Sequence, residues 1–205
     1  MPLLNLDEVD TVVFDIGNVL LDFDPGAMLS KLFPDAPETR DRLLECVFHS
    51  PVWLMLDRGI ITEQEALRKV TAEQPDLEED VRYLLDRWPA LMRPRPEAQL
   101  TFRCLHEQGK RILLLTNYQS RAFRIALECF SFLRQADGWL VSADVHMLKP
   151  DPAIFRETIR RFDLNPARTL FLDDSVPNVE TALYLGFQAL VVRHEGDLTR
   201  FFLSD

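Results

Sequence analysis

The residues best suited to chemistry are four polar groups, each placed just after a short apolar run. Asp15 follows Thr11-Val-Val-Phe, Thr116-Asn117 follows Arg111-Ile-Leu-Leu-Leu, and Asp173-Asp174 follows Thr169-Leu-Phe-Leu. Lys149 lies a short loop beyond Gly138-Trp-Leu-Val-Ser142. Taken singly, each has an ordinary explanation as a turn, cap or solvated residue. Asp173-Asp174 is the most informative, because adjacent acids after an apolar strand repel each other without a counter-ion. Together the four match what phosphoryl transfer requires. A carboxylate can attack phosphorus and form an aspartyl-phosphate that water later hydrolyses. It is repelled by a phosphate dianion unless a cation lies between them. Asp15 and Asp174 offer two hard oxygen ligands for Mg2+, which takes one or two carboxylates plus waters and substrate oxygens. Lys149 would neutralise further charge, and Thr116 with the backbone amide of Asn117 would hydrogen-bond phosphate oxygens.

Residues so far apart in sequence must be brought together by the fold. The four runs above, with Ala189-Leu-Val-Val192, read as parallel strands buried on both faces. Helical stretches lie between them. One opens at Pro96 and stops before Gly109. Asp151-Pro152 is an N-cap with proline at the first helical position, and Ile154, Phe155, Ile159 and Phe162 can share one face. Asn165-Pro166 marks a turn, and a helix after Pro177 is expected to end near Gly186. This alternation predicts an α/β fold, a three-layer doubly wound parallel sheet. Open sheets of this type bind ligands outside the carboxyl ends of their strands, where all four polar groups fall.

The stretch from 23 to 95 breaks the alternation and shows no convincing strand. Thr62-Glu-Gln-Glu65 is a capping box, Ser50-Pro51 and Asp76 are helix starts, and Gly59 is a stop. The expected division is a core of 1–22 and 96–205 with an inserted helical cap at 23–95.

The chain has 205 residues, 47% hydrophobic and 27% charged, enough for a substantial core. Its net charge of -10 argues against a nucleic-acid backbone as partner. A small anionic substrate remains compatible if the site supplies a cation. No run of about 18 apolar residues and no basic leader is present, so neither a transmembrane helix nor a targeting segment is expected. Cys46, Cys104 and Cys129 are scattered, as expected of reduced thiols in a cytoplasmic protein. A monomer or a homodimer is compatible with this composition.

The chain resembles the haloacid dehalogenase superfamily, in particular its small phosphatases similar to bacterial α-D-glucose-1-phosphate phosphatase. The motifs are Phe14-Asp15-Ile16-Gly17-Asn18-Val19-Leu20, Leu115-Thr116-Asn117, Lys149-Pro150-Asp151-Pro152-Ala153-Ile154-Phe155 and Phe171-Leu172-Asp173-Asp174-Ser175, with Asn178 following. The resemblance implies that Asp15 is nucleophile and metal ligand, that the Gly17 carbonyl and Asp174 complete the Mg2+ ligands, and that Asp173 and Asn178 support them. Thr116 and Lys149 would hold the phosphate, and the insert would be a cap closing over a sugar phosphate or similar monoester. Asp57-Arg58-Gly59 resembles a cap element of these relatives, making Arg58 a candidate for substrate binding.

Two departures stand out. Many family phosphatases carry an acid two residues after the nucleophile to protonate the leaving oxygen; here that residue is Gly17. Asp22 and Asp24, a few residues on, are candidates to substitute, although a solvated loop or hinge role suits both better. His146 stands where relatives often have glycine, and a surface loop position is expected for it. Phe48, Trp53 and Met55 either line a pocket or simply pack. Two alternatives follow. One is a metal-independent 2-haloacid dehalogenase using the same aspartate, which the Asp173-Asp174 pair disfavours. The other is a non-catalytic phosphate-ligand-binding protein that has lost its acid.

Overall fold

The five apolar runs become one parallel sheet in the computed structural model, which describes residues 6–194 and 196–202. In chain order the strands are β1 (Thr11–Phe14), β2 (Leu21–Asp22), β3 (Arg93–Pro94), β4 (Arg111–Thr116), β5 (Gly138–Val141), β6 (Thr169–Asp173) and β7 (Gln188–Val191). The main sheet runs β5-β4-β1-β6-β7, all parallel. β1 is therefore central, and the chain passes from one of its flanks to the other between β5 and β6. That is the switch point at which such sheets open a ligand crevice.

Register fixes what stands at that edge. Phe14 pairs with Leu114 on one flank and Leu172 on the other. Asp15 thus leaves the sheet level with Asp173, one residue before Thr116. Its backbone N–H still donates to the Leu172 carbonyl at 2.8 Å, so the ladder continues through the acid. Side chains alternate across the sheet. Val12 and Phe14 enter one apolar cluster, while Val13 enters a second with Leu113, Leu115 and Phe171. Helices cover both faces, giving the three-layer α/β arrangement.

Those helices are α1 (Pro25–Leu32), α2 (Pro37–Leu43), α3 (Pro51–Asp57), α4 (Glu63–Glu73), α5 (Glu78–Arg87), α6 (Pro96–Glu107), α7 (Ser120–Cys129), α8 (Ser142–Val145), α9 (Pro152–Phe162), α10 (Val176–Tyr184) and α11 (Asp197–Phe202). The first five lie between β2 and β3. Local chemistry starts several of them. The Thr62 hydroxyl accepts from the Glu65 N–H while Glu65 accepts from the Thr62 N–H, the reciprocal pairing expected of a capping box. Asp151 caps α9 ahead of Pro152, and Ile154 and Phe155 are fully buried on its inner face.

Two details differ from expectation. The 23–95 stretch does contain a strand, since Arg93–Pro94 pairs antiparallel with Leu21–Asp22. A two-residue strand ending in proline is too short to show alternation in sequence. Arg95 reinforces this neck, donating from its backbone to the Leu20 carbonyl and from Nε to Asp22 at 3.0 Å. Asp76 sits within a 3-10 turn, Pro75–Leu77, that precedes α5 rather than opening it. Among the described residues no helix is long and apolar enough to cross a membrane, and the three cysteines are free.

Candidate active site

Asp15, Gly17, Thr116, Asn117, Lys149, Asp174 and Asn178 line one cavity of about 410 Å³ at the carboxyl edge of the sheet. Its electrostatic centre is Lys149. The ammonium lies 2.8 Å from Asp15 and 2.6 Å from Asp173, with all three side chains nearly or fully buried. A buried cation is stable only when paired and hydrogen-bonded, and here two carboxylates share it. Burial alone would lower the lysine pKa. The two carboxylates more than offset that and raise it, so Lys149 is a fixed positive charge. Its backbone is clamped as well: Asn117 Oδ1 accepts from the Lys149 N–H at 2.8 Å, and Asn117 Nδ2 donates to the Lys149 carbonyl at 3.0 Å. Asn117 therefore acts through its side chain, a role its sequence position did not reveal.

The adjacent acids divide their work. Asp173 is fully buried, and both its oxygens are engaged: one by Lys149, the other by the Ser175 N–H at 2.8 Å and Asn178 Nδ2 at 2.9 Å. Asp174 lines the cavity, and its Oδ2 accepts from Asn18 Nδ2 at 3.1 Å. Asn18 is held in a left-handed conformation, φ 55°, and accepts the Phe23 N–H. Its amide thereby ties the β1 loop to the loop after β6.

Asp15, Asp173 and Asp174 each place a carboxylate oxygen within 4.8 Å of the others. Among the described residues, Asp15 Oδ2 and Asp174 Oδ1 accept no hydrogen bond from another residue. Two open hard-oxygen donors beside a saturated third acid form a donor set suited to Mg2+. The charge balance points the same way. Burial raises the Asp15 pKa; Lys149 opposes this, while Asp173 and Asp174 push it further up. Asp174 is likewise raised, first by burial and then by Asp173, with Asn18 and Lys149 opposing. A divalent cation would relieve this crowding of negative charge and hold both groups ionised.

Arg58, a candidate for substrate binding, is exposed at the end of α3 and does not line the cavity. The preceding residue, Asp57, does line it, and is buried. Consecutive residues point about 100° apart around a helix, and here the acid rather than the arginine faces inward. Asp22 pairs with Arg95 and Asp24 caps α1; neither reaches the cavity. His146 is left-handed, φ 57°, with Nδ1 3.2 Å from the Arg58 carbonyl. A positive φ is the physical reason why glycine suits that position. Phe23, Trp53, Trp88, Met92 and Tyr118 form the remaining apolar wall. Phe48 packs on Trp53 with ring centroids 4.5 Å apart, behind that wall.

Gly59 explains how the insert reaches this edge. It has φ +68°, and a Cβ there would lie 2.3 Å from the Ala143 carbonyl oxygen. Only glycine lets the end of α3 press onto α8 this closely. The Ser142 hydroxyl donates to the Asp57 carbonyl and accepts from the Tyr118 N–H.

The chain is similar to known proteins in sequence and in fold. The sequence profile described as haloacid dehalogenase-like hydrolase matches residues 9–186. A sesquiterpene phosphatase, astK of Aspergillus oryzae, is 24% identical over 178 residues, spanning 87% of each chain. A haloacid dehalogenase family enzyme of Bacteroides thetaiotaomicron, solved with magnesium and inorganic phosphate, superposes with a TM-score of 0.68 at 20% identity, over 90% of this chain and 94% of that one. An L-2-haloacid dehalogenase of Xanthobacter autotrophicus also superposes at 0.68, with 16% identity over 94% of this chain and 81% of its own. At these identities the superpositions establish the fold.

Proposed function

Because the chain belongs to the haloacid dehalogenase-like hydrolase family, we propose that it is a Mg2+-dependent phosphatase acting on small phosphate monoesters through Asp15. The observation that most supports this is the saturation of Asp173 beside two open carboxylates. A halide-displacing enzyme has no use for a second open acid next to its nucleophile, whereas a phosphate dianion needs a metal, and a metal needs both. The magnesium and phosphate complex of the Bacteroides enzyme and the activity of the Aspergillus phosphatase agree with this choice.

Asp15, the Gly17 carbonyl and Asp174 would hold the ion. When bound, it supplies positive charge between the nucleophile and the phosphate oxygens. The chain's own residues do the rest. Asp15 attacks phosphorus in line with the leaving oxygen, forming an aspartyl-phosphate that water hydrolyses. Lys149 and Thr116, with the Asn117 N–H, bind the equatorial oxygens as charge spreads onto them. Asp173 and Asn178 keep Lys149 and the loop after β6 in place. The insert supplies walls that exclude bulk water.

The aromatic wall favours an organic part with an apolar or flat face. Sugar phosphates, whose rings can lay an apolar face on aromatic side chains, are the leading class. A screen with Mg2+ across sugar, isoprenoid, nucleotide and small organic-acid phosphates tests this. Turnover of none of these, or of nothing beyond nucleotides, would reject the assigned class.

A further inference from the structure

Cleaving an alkyl phosphate expels an alkoxide, which leaves poorly unless a proton reaches it. Gly17 cannot supply one. The space beside it is open, since a Cβ there would meet only the Phe23 Cβ, at 3.9 Å. Asp15 and Asp174 face the metal position, and Lys149 is held by Asp15 and Asp173. Tyr118 donates its hydroxyl to Met92 Sδ, at 2.9 Å. His146, Asp22 and Asp24 lie outside the cavity.

Asp57 is different. It is the third carboxyl lining the cavity with Asp15 and Asp174, it is 8% exposed, and among the described residues it makes no ion pair. We propose that Asp57 is the acid that protonates the leaving oxygen and the base that then activates water, doing from the insert what Gly17 cannot do from the β1 loop. This assignment rests on the phosphatase reading above.

Its surroundings suit the task. Among the described residues, the groups that act on it are Asp15 from the end of β1, and Tyr118 and Gln119 between β4 and α7, with no cation among them. Burial pushes its pKa from 3.8 up to about 8, the Asp15 charge adds to the rise, and the Gln119 amide opposes it. The backbone is fixed by the Ser142 hydroxyl and by the close approach at Gly59. A carboxyl without a cation on a rigid helix end, beside one paired with a lysine, fits the usual division between acid and nucleophile.

The chemistry balances. Asp15 attacks phosphorus, the bond from phosphorus to the ester oxygen breaks, and the Asp57 proton goes to that oxygen, releasing an alcohol. Asp57, now a carboxylate, takes a proton from water as the water oxygen attacks phosphorus. The Asp15–phosphorus bond breaks, inorganic phosphate leaves, and Asp57 is again the acid.

The test compares leaving groups. In Asp57→Asn, a neutral replacement of the same shape, hydrolysis of an alkyl phosphate with Mg2+ should fall about 10²–10⁴-fold. Hydrolysis of p-nitrophenyl phosphate, whose leaving group needs little protonation, should fall far less. Adding Gly17→Asp to that variant should restore part of the alkyl phosphate activity. The wild type provides a check that needs no variant: its rates across aryl and alkyl phosphates should depend weakly on leaving-group basicity. Equal losses on both substrates, an unimpaired alkyl rate, or a steep leaving-group dependence in the wild type would overturn the assignment. A wild type inactive even on p-nitrophenyl phosphate would instead overturn the phosphatase reading itself.

Discussion

The sheet edge and the helical insert bring acids to the same cavity by different physical routes. At the sheet edge, position follows from regular structure. β1, β4 and β6 are parallel and in register, so their ends must deliver Asp15, Thr116 and Asp173 to one place. Asp15 and Asp173 share the buried Lys149 ammonium. Asp57 arrives instead because the end of α3 docks on α8, and among the described residues it pairs with no cation. The contrast teaches that one fold brings two kinds of carboxyl to a single cavity: one paired with a buried lysine, the other set among apolar walls beside another acid.

The largest effect should come from the sheet edge. Asp15→Asn removes the nucleophile while preserving shape, and turnover of p-nitrophenyl phosphate should fall on the order of 10⁴-fold or more. Circular dichroism should remain unchanged. Near wild-type activity would place the attacking group elsewhere. Asp174→Ala should come next, raising the Mg2+ concentration needed for half-maximal rate by about tenfold or more. An unshifted Mg2+ titration would show that the metal is held without it.

How much of this was legible in the sequence follows the same division. Asp15, Thr116, Lys149, Asp173 and Asp174 stand where apolar runs stop, and runs of that kind become buried parallel strands. Sheet order and register then do the assembly. Asn117 was legible as a site residue but not as a side-chain clamp on Lys149, because that pairing joins two loops 32 residues apart. Asp57 was obscured by its neighbours. Followed by Arg58 and Gly59 at a helix end, it resembles a solvated terminus, and only the docking of α3 buries it. One signal was available: Trp53, Leu56 and Asp57 are spaced i, i+3 and i+4, so the acid shares the helix's buried face. Arg58, one residue further round, cannot share it. The β2–β3 pairing was hidden by its brevity.

The insert side yields smaller effects. In the folded protein Asp57 prefers its neutral form, so its contribution to stability is greatest below pH 3.8 and is lost as pH rises toward about 8. Asp57→Asn removes that loss. Relative to the wild type, the variant's melting temperature should improve steadily between pH 5 and pH 8, measured without metal. A constant difference across that range would mean that Asp57 is ionised in the fold. Arg58→Ala should do least. An exposed arginine outside the cavity is worth about 0.5 kcal/mol or less in stability, and kcat/KM should change by less than about twofold. A large loss would return Arg58 to the substrate.

The most direct test of the account is hydrolysis of p-nitrophenyl phosphate by the wild type, followed before and after chelation. Turnover should require Mg2+, vanish with EDTA and return when excess Mg2+ is added. No hydrolysis with Mg2+, or a rate indifferent to the chelator, would contradict a metal-assisted attack by Asp15. Chelator-resistant chloride release from a 2-chloroacid would identify the dehalogenase in its place.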